Sequence, residues 1–252
     1  MNSSLGTGEP RKSPLDVDIT TRYLELRAEI AAAAERCGRT PESVRIVAVT
    51  KSADEQVLAP LLQNGCCDFA ENRWQDARVK LDFANKHLPT SIRWHFIGRL
   101  QLNKVKYVVP NFSWVHSVDS LALAQAISGR AAAEGRVIKA LVQVNVSGEA
   151  TKTGFSPEEV EPFLRKVQGL PGVEWQGLMT MAPHAEDVEE TRPWFRALRE
   201  LSLEVRRSLS LQEFRDLSMG MSNDFAVAIE EGATLIRVGR RLVGERVQPQ
   251  NL

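Results

Sequence analysis

The sequence predicts a single (β/α)8 TIM-type barrel with one extra helix ahead of it. Eight short strand-like runs, the first of them rich in Val and Ile, alternate with helical patterns along the chain. Their spacings suit right-handed parallel crossovers, and eight such units in about 250 residues mark the closed barrel. The first run ends Thr-Lys-Ser, where an open nucleotide-binding sheet would carry Gly-x-Gly-x-x-Gly.

The elements follow in order. Residues 1–17 are polar, with Gly, Pro and Ser and little to bury, and are expected to form a flexible tail before one domain over 18–252. In 18–37, Tyr23, Leu26, Ile30, Ala33, Ala34 and Cys37 recur at three- and four-residue spacing, with Thr20 or Thr21 as N-cap and Gly38 as terminator. That pattern predicts an amphipathic helix. A strand over 44–50 then leads to a helix over 54–63, a strand over 68–72 to a helix over 73–86, and a strand over 92–98 to a short helix near 102–108. The fourth strand, 114–118, precedes an alanine-rich helix over 120–134. The fifth, 140–146, is almost continuously apolar, as a strand covered on both faces should be. It leads to a helix over 156–167, with Ser156 as N-cap and Pro157 at the first helical position. The sixth strand, 173–180, is followed by a long charged helix over 188–208. The seventh, 214–219, is followed by a helix over 223–230, and 234–238 is the eighth.

The bulk composition narrows the function. With 252 residues, 43% of them hydrophobic, one large domain is sufficient. Lys plus Arg and Asp plus Glu both number 32, so no global basic field draws nucleic acid or an anionic membrane. A small or neutral ligand is the default. Three cysteines without a Cys-x-x-Cys spacing argue for a reducing cytoplasm. The N-terminus has neither the apolar segment nor the arginine-rich helix of a targeting peptide, and no stretch suits a membrane span. The four histidines and three cysteines show no metal-ligand spacing.

Polar and glycine clusters fall at the C-terminal ends of the predicted strands. Lys51 ends the first, Glu71-Asn72 the second, residues 98–101 the third, residues 116–119 the fourth and Thr180 the sixth. Residues 218–224 follow the seventh, and Arg237-Val238-Gly239-Arg240 closes the eighth. One rim of a barrel gathers all of them, and that rim is where barrel chemistry collects. The loops after strands seven and eight commonly form a phosphate cup. Ser222 offers a hydroxyl there, while Gly220 and Gly239 permit close backbone approach. A phosphate cup and a rim lysine suggest pyridoxal 5′-phosphate (PLP), whose aldehyde needs a neutral amine. The plainer alternative is that these glycines only end strands and start helices. Arg237 lies two residues before Gly239, on the same side of the pleat, and an arginine against a pyridine nitrogen would leave that nitrogen unprotonated. The structural alternative for Arg237 is a rim salt bridge to Glu71 or Asp224.

These segments also carry a resemblance. Val-Ala-Val-Thr-Lys, Phe-Ala-Glu-Asn-Arg-Trp-Gln-Asp, Trp-His-Phe-Ile-Gly-Arg-Leu-Gln-Leu-Asn-Lys, His-Ser-Val-Asp, Gly-Leu-Met-Thr-Met, Leu-Ser-Met-Gly-Met-Ser-Asn-Asp-Phe and Ile-Arg-Val-Gly-Arg occur in this order. Over about residues 20–246 the chain resembles the pyridoxal phosphate homeostasis proteins. The resemblance implies a barrel like the N-terminal domain of alanine racemases, of fold-type III, with Lys51 holding PLP as a Schiff base. It further implies Ser222, Gly239 and residue 240 at the phosphate, Arg237 near the ring nitrogen and Asn72 near the ring. The family commonly has Pro where Ser52 stands and Thr or Ser where Arg240 stands, so the side-chain hydroxyl contact at 240 is replaced here by a guanidinium. With Met219 from the seventh-strand loop, the candidate cofactor-binding residues are Lys51, Asn72, Met219, Ser222, Arg237, Gly239 and Arg240. No catalytic residue and no metal ligand is expected.

The resemblance implies a non-catalytic PLP carrier. The alternative is a racemase-like enzyme, which needs bases on both faces of its substrate. Alanine racemases use a tyrosine from a partner subunit, whereas the tyrosines here, Tyr23 and Tyr107, lie at no predicted strand C-terminus. His116 and His184 are substitutes for the second base, and His95 reads as a satisfied core histidine inside a strand. A class I aldolase using Lys51 is a weaker third reading. A monomer is expected, with PLP as its small-molecule ligand and PLP-accepting apo-enzymes or a regulatory protein as partners.

Overall fold

The computed structural model describes residues 14–89, 91–149 and 152–244. Eight parallel strands close in sequence order into a barrel: β1 (Arg45–Val49), β2 (Asp68–Glu71), β3 (Arg93–Phe96), β4 (Trp114–Val118), β5 (Ile138–Gln143), β6 (Val173–Met179), β7 (Asp216–Ser218) and β8 (Leu235–Val238). The eighth returns to the first, with Val47 opposite Arg237 and Ala48 opposite Val238. The predicted fold and all eight strand positions hold, β4 with its predicted bounds and the other strands shorter. β5 begins two residues early because Ile138 pairs with Val173, and it stops at Gln143 because Val144 bridges to Phe155 instead.

The two-residue period of the strands sorts side chains between two cores. Val47, Val49, Ala70, Trp114, Leu141, Met179 and Leu235 pack inside the barrel. Their sequence neighbours, such as Ile46, Ala48, Phe69, Val115, Ile236 and Val238, pack outward against the helices. Those helices are α1 (Pro14–Arg36), α2 (Leu58–Gln63), α3 (Trp74–His87), α4 (Val105–Val108), α5 (Leu121–Ala133), α6 (Pro157–Val167), α7 (Arg192–Ser208), α8 (Phe225–Glu230) and α9 (Arg240–Val243).

The helix boundaries follow local chemistry. α1 begins at Pro14, inside the last positions of the expected tail, whose residues 1–13 lie outside the described residues. It buries Ile19, Leu26, Ile30, Ala33 and Ala34 and packs on α2, α8 and α9. The helix expected from residue 54 is a short 3-10 turn, Glu55–Val57, before α2, since Pro60 lacks an N–H and fits only the first turn of an α-helix. Pro193 sets the start of α7 in the same way, after a 3-10 turn over Val188–Thr191. α6 opens with the expected Ser156 and Pro157, and Ser156 N–H donates to Glu159 at 2.8 Å in a capping box. α9, after β8, has no counterpart in the sequence-based reading. No helix among the described residues is long and apolar enough to cross a membrane.

Candidate functional site

At the C-terminal rim, β1 delivers two consecutive residues to opposite sides of the barrel wall. Thr50 continues the outward series of Ile46 and Ala48, and Lys51 the inward series of Val47 and Val49. Lys51 is solvent-exposed and lines a cavity of about 350 Å³ with Ser222, Asn223, Asp224, Arg237, Gly239 and Arg240. The β6 loop closes one side with Ala182, Pro183 and His184. Lys51 Nζ makes no hydrogen bond or ion pair among the described residues.

Arg237 is the most constrained of these side chains. It is 5% exposed, and its Nη1 donates to Ser218 Oγ at 2.7 Å and its Nη2 to the Thr180 carbonyl at 2.8 Å. Neither of the expected salt-bridge partners bonds it. Burial pulls its guanidinium down to about 10, which leaves it a cation at neutral pH. Asp224 adds a nearby negative charge, and its own carboxyl is raised by burial. Asp224 Oδ1 accepts the Met221 N–H at 2.6 Å and so shapes the loop after β7.

That loop turns on Gly220. Its φ is +85°, and a Cβ there would lie 2.6 Å from the Ala228 Cβ of α8, so the chain passes flat against the helix. A Cβ on Gly239 would lie 3.1 Å from the Val49 carbonyl oxygen, which keeps the β8 end close to the β1 end. Beyond Gly239 the first N–H groups of α9 have no acceptor within the helix. The Arg240 side chain is exposed beside them and has no ion-pair partner among the described residues.

The cavity thus unites Lys51, Ser222, Arg237, Gly239 and Arg240. Two candidates lie elsewhere. Met219 is fully buried in the outer core, its N–H bonded to the Leu235 carbonyl, because the pleat turns it away from the barrel axis. Asn72 lines a neighbouring cleft with Arg73, Trp74, Arg99 and Lys104.

Sequence reasoning missed the support under Lys51. Thr50 Oγ1 donates to Glu71 Oε1 at 2.6 Å, and Lys80 Nζ bonds both Glu71 Oε1 at 2.7 Å and the Thr50 carbonyl at 2.6 Å. Glu71 is 0% and Lys80 4% exposed, and Glu71 Oε2 has no partner among the described residues. Lys80 falls on the buried face of α3 with Ala77, Leu81 and Ala84, a position where a charge signals a buried partner.

The arrangement offers an unpaired amine, a buried guanidinium with spare donors, a hydroxyl and free backbone N–H groups around one small cavity. That set suits a compact ligand with a reactive carbonyl and an anionic group. The alanine racemase N-terminal domain family matches residues 24–247. The pyridoxal phosphate homeostasis protein of Aquifex aeolicus (strain VF5) is 42% identical over 226 residues, covering 90% of this chain and 96% of that protein. The structure of PipY of Synechococcus elongatus PCC7942 with PLP bound aligns with a TM-score of 0.79 and 34% identity, over 90% of this chain and 100% of PipY. An alanine racemase of Clostridium difficile 630 shares the fold at TM-score 0.70 and 15% identity, over 94% of this chain and 59% of the racemase.

Proposed function

The chain belongs to the pyridoxal phosphate homeostasis proteins, within the alanine racemase N-terminal domain family, and from that premise we propose that its Lys51 cavity binds PLP and retains it without turning over a substrate. The observation that carries the reading is Lys51 and Arg237 lining one cavity, the first unpaired, the second buried and held.

The residues present fit the cofactor. PLP supplies an aldehyde, which a primary amine condenses with as water leaves, and a phosphate dianion. Lys51 is the amine. Ser222, the backbone beside Gly239 and the Arg240 guanidinium provide donors at the anion end, where Gly220 and Gly239 leave room for close approach. Arg237 donates to whatever acceptor it faces and does not surrender a proton, so it opposes protonation of a ring nitrogen and weakens the electron withdrawal that carbanion chemistry needs. Retention is then the role that remains. Asn72 and Met219 act from outside this lining, Asn72 through the loop after β2 and Met219 by packing the β7 loop. We assign residues 18–252 to one ligand-binding domain. Its three free cysteines support a reducing cytoplasm, and apo-enzymes that take up PLP are the expected recipients.

Borohydride treatment of the PLP-loaded chain should fix one pyridoxyl group to the peptide containing Lys51, and Lys51→Ala should abolish it. Retention of the same adduct in Lys51→Ala would overturn the site. The racemase-like alternative keeps His184 and Asp224 as further proton acceptors in the cavity. Exchange of the α-proton of alanine with solvent, lost in His184→Ala, would sink the carrier reading.

A further inference from the structure

A line of polar side chains runs through the barrel interior and ends on Arg237. Arg93 holds both carboxylate oxygens of Asp68, with Nε on Oδ1 at 2.7 Å and Nη2 on Oδ2 at 2.6 Å. His95 Nε2 lies 2.8 Å from Asp68 Oδ1, His95 Nδ1 lies 2.9 Å from His116 Nε2, and His116 Nδ1 lies 2.9 Å from Ser218 Oγ. Ser218 Oγ is the atom that accepts from Arg237 Nη1. His95, His116 and Ser218 are all 0% exposed, and the His95 ring stacks on Trp114 at 5.3 Å between centroids.

The direction of every bond follows from the Asp68 end. Burial pushes the Asp68 carboxyl up, but hydrogen bonds from His95 and Arg93 outweigh it and hold the group ionised, so Asp68 can only accept. His95 must then donate from Nε2. Burial lowers the basicity of His95 despite Asp68, and lowers that of His116 well below the usual histidine value, with His95 and Arg237 adding to the effect. A neutral His95 protonated at Nε2 has a bare Nδ1, which accepts from His116 Nε2–H. His116 in turn has a bare Nδ1, which accepts the Ser218 hydroxyl proton. Ser218 is left with lone pairs only toward Arg237.

We propose that Asp68, His95, His116 and Ser218 form a one-way hydrogen-bond relay that positions Arg237, fixing it as a donor to the unprotonated ring nitrogen of a ligand in the Lys51 cavity. The ligand half rests on the PLP reading above; the relay itself does not. Two guanidinium N–H groups are spent on Ser218 and the Thr180 carbonyl, the other three have no partner among the described residues, and Arg237 lines the cavity. The four relay members are positioning residues, since none of them lines the cavity.

Two measurements test this. Long-range proton–nitrogen correlation spectra of the histidine rings in the full, ligand-free chain should show His95 and His116 neutral, each with its proton on Nε2. A proton on Nδ1 of either ring at neutral pH overturns the relay. The second measurement compares binding of PLP with that of its analogue carrying C–H in place of the ring nitrogen. The wild-type chain should favour PLP by about tenfold or more, the scale of a hydrogen bond to a charged group. Ser218→Ala should bring that ratio toward one, and Ser218→Thr, which keeps the hydroxyl, should restore it. An unchanged ratio in Ser218→Ala overturns the positioning role. If Ser218→Ala does not fold, the wild-type tautomers still decide the relay. If the wild type binds no PLP, the functional reading falls and the tautomers judge the relay alone.

Discussion

Lys80 Nζ lies 2.6 Å from the Thr50 carbonyl oxygen, so a buried ammonium on α3 holds the last peptide group before Lys51. Glu71 completes the triangle, accepting from Lys80 and from the Thr50 hydroxyl with one oxygen while its other stays unpartnered among the described residues. The strand end under Lys51 is therefore anchored by a buried ion pair.

Removing one charge of this pair should cost far more than removing both. Lys80→Met leaves the Glu71 carboxylate buried without a counter-ion and is expected to lower stability by about 3–5 kcal/mol. Adding Glu71→Leu should recover most of that loss, as measured by urea unfolding. Equal stability of Lys80→Met and the wild type would show that the pair carries no such load.

Acid should loosen the barrel in two stages. His95 and His116 have folded pKa values depressed by burial, so the unfolded chain binds their protons first and stability falls as pH drops below about 6.5. Asp68 is also depressed, chiefly by His95 and Arg93 against the effect of burial, and its contribution, complete above about 3.9, is lost as pH falls further. Urea midpoints between pH 7 and pH 5 should decline less steeply in His116→Phe than in the wild type. Parallel slopes would count against neutral buried histidines.

Gly220→Ala places a methyl group against Ala228 in a backbone conformation that side chains avoid. A stability loss of about 1–3 kcal/mol is expected. PLP affinity should weaken along with it, because the loop that carries Ser222 has to move. Thermal unfolding and equilibrium dialysis with PLP measure both, and full affinity in a destabilised Gly220→Ala would separate the loop from the ligand.

Arg240→Ala should weaken PLP by about tenfold, the scale of a charged hydrogen bond, and leave pyridoxal, which lacks the phosphate, unaffected. Raising the salt concentration should shrink the difference, since this guanidinium is exposed. An equal loss for both ligands would place Arg240 outside the anion end.

The fold was legible because most of its strands and helices announce themselves locally. Valine- and isoleucine-rich runs, Ser156-Pro157 and the alanine-rich helix after the fourth strand need no knowledge of the rest of the chain. That Lys51, Ser222, Arg237, Gly239 and Arg240 meet at one cavity was also readable, since strand ends of a barrel converge on one rim. The partners of these residues were less so. Ser218, Thr180, His116 and Lys80 act through contacts between segments up to 102 residues apart, and nothing in a local pattern says which strand faces which across the barrel. Met219 shows the same limit from the other side. One residue from Ser218 along the chain, it points to the opposite face of the sheet, a distinction that depends on where the strand begins.

The polar line through the barrel has a consequence for folding as well. A slip of β3 by one residue would exchange His95 for Trp94 inside the barrel and push the imidazole among the apolar side chains facing the helices. Apolar residues tolerate such exchanges, whereas a histidine stripped of both partners does not. The chain of bonds from Asp68 to Arg237 fixes how strands two, three, four, seven and eight are aligned, and so favours one closure of the cylinder over its shifted alternatives.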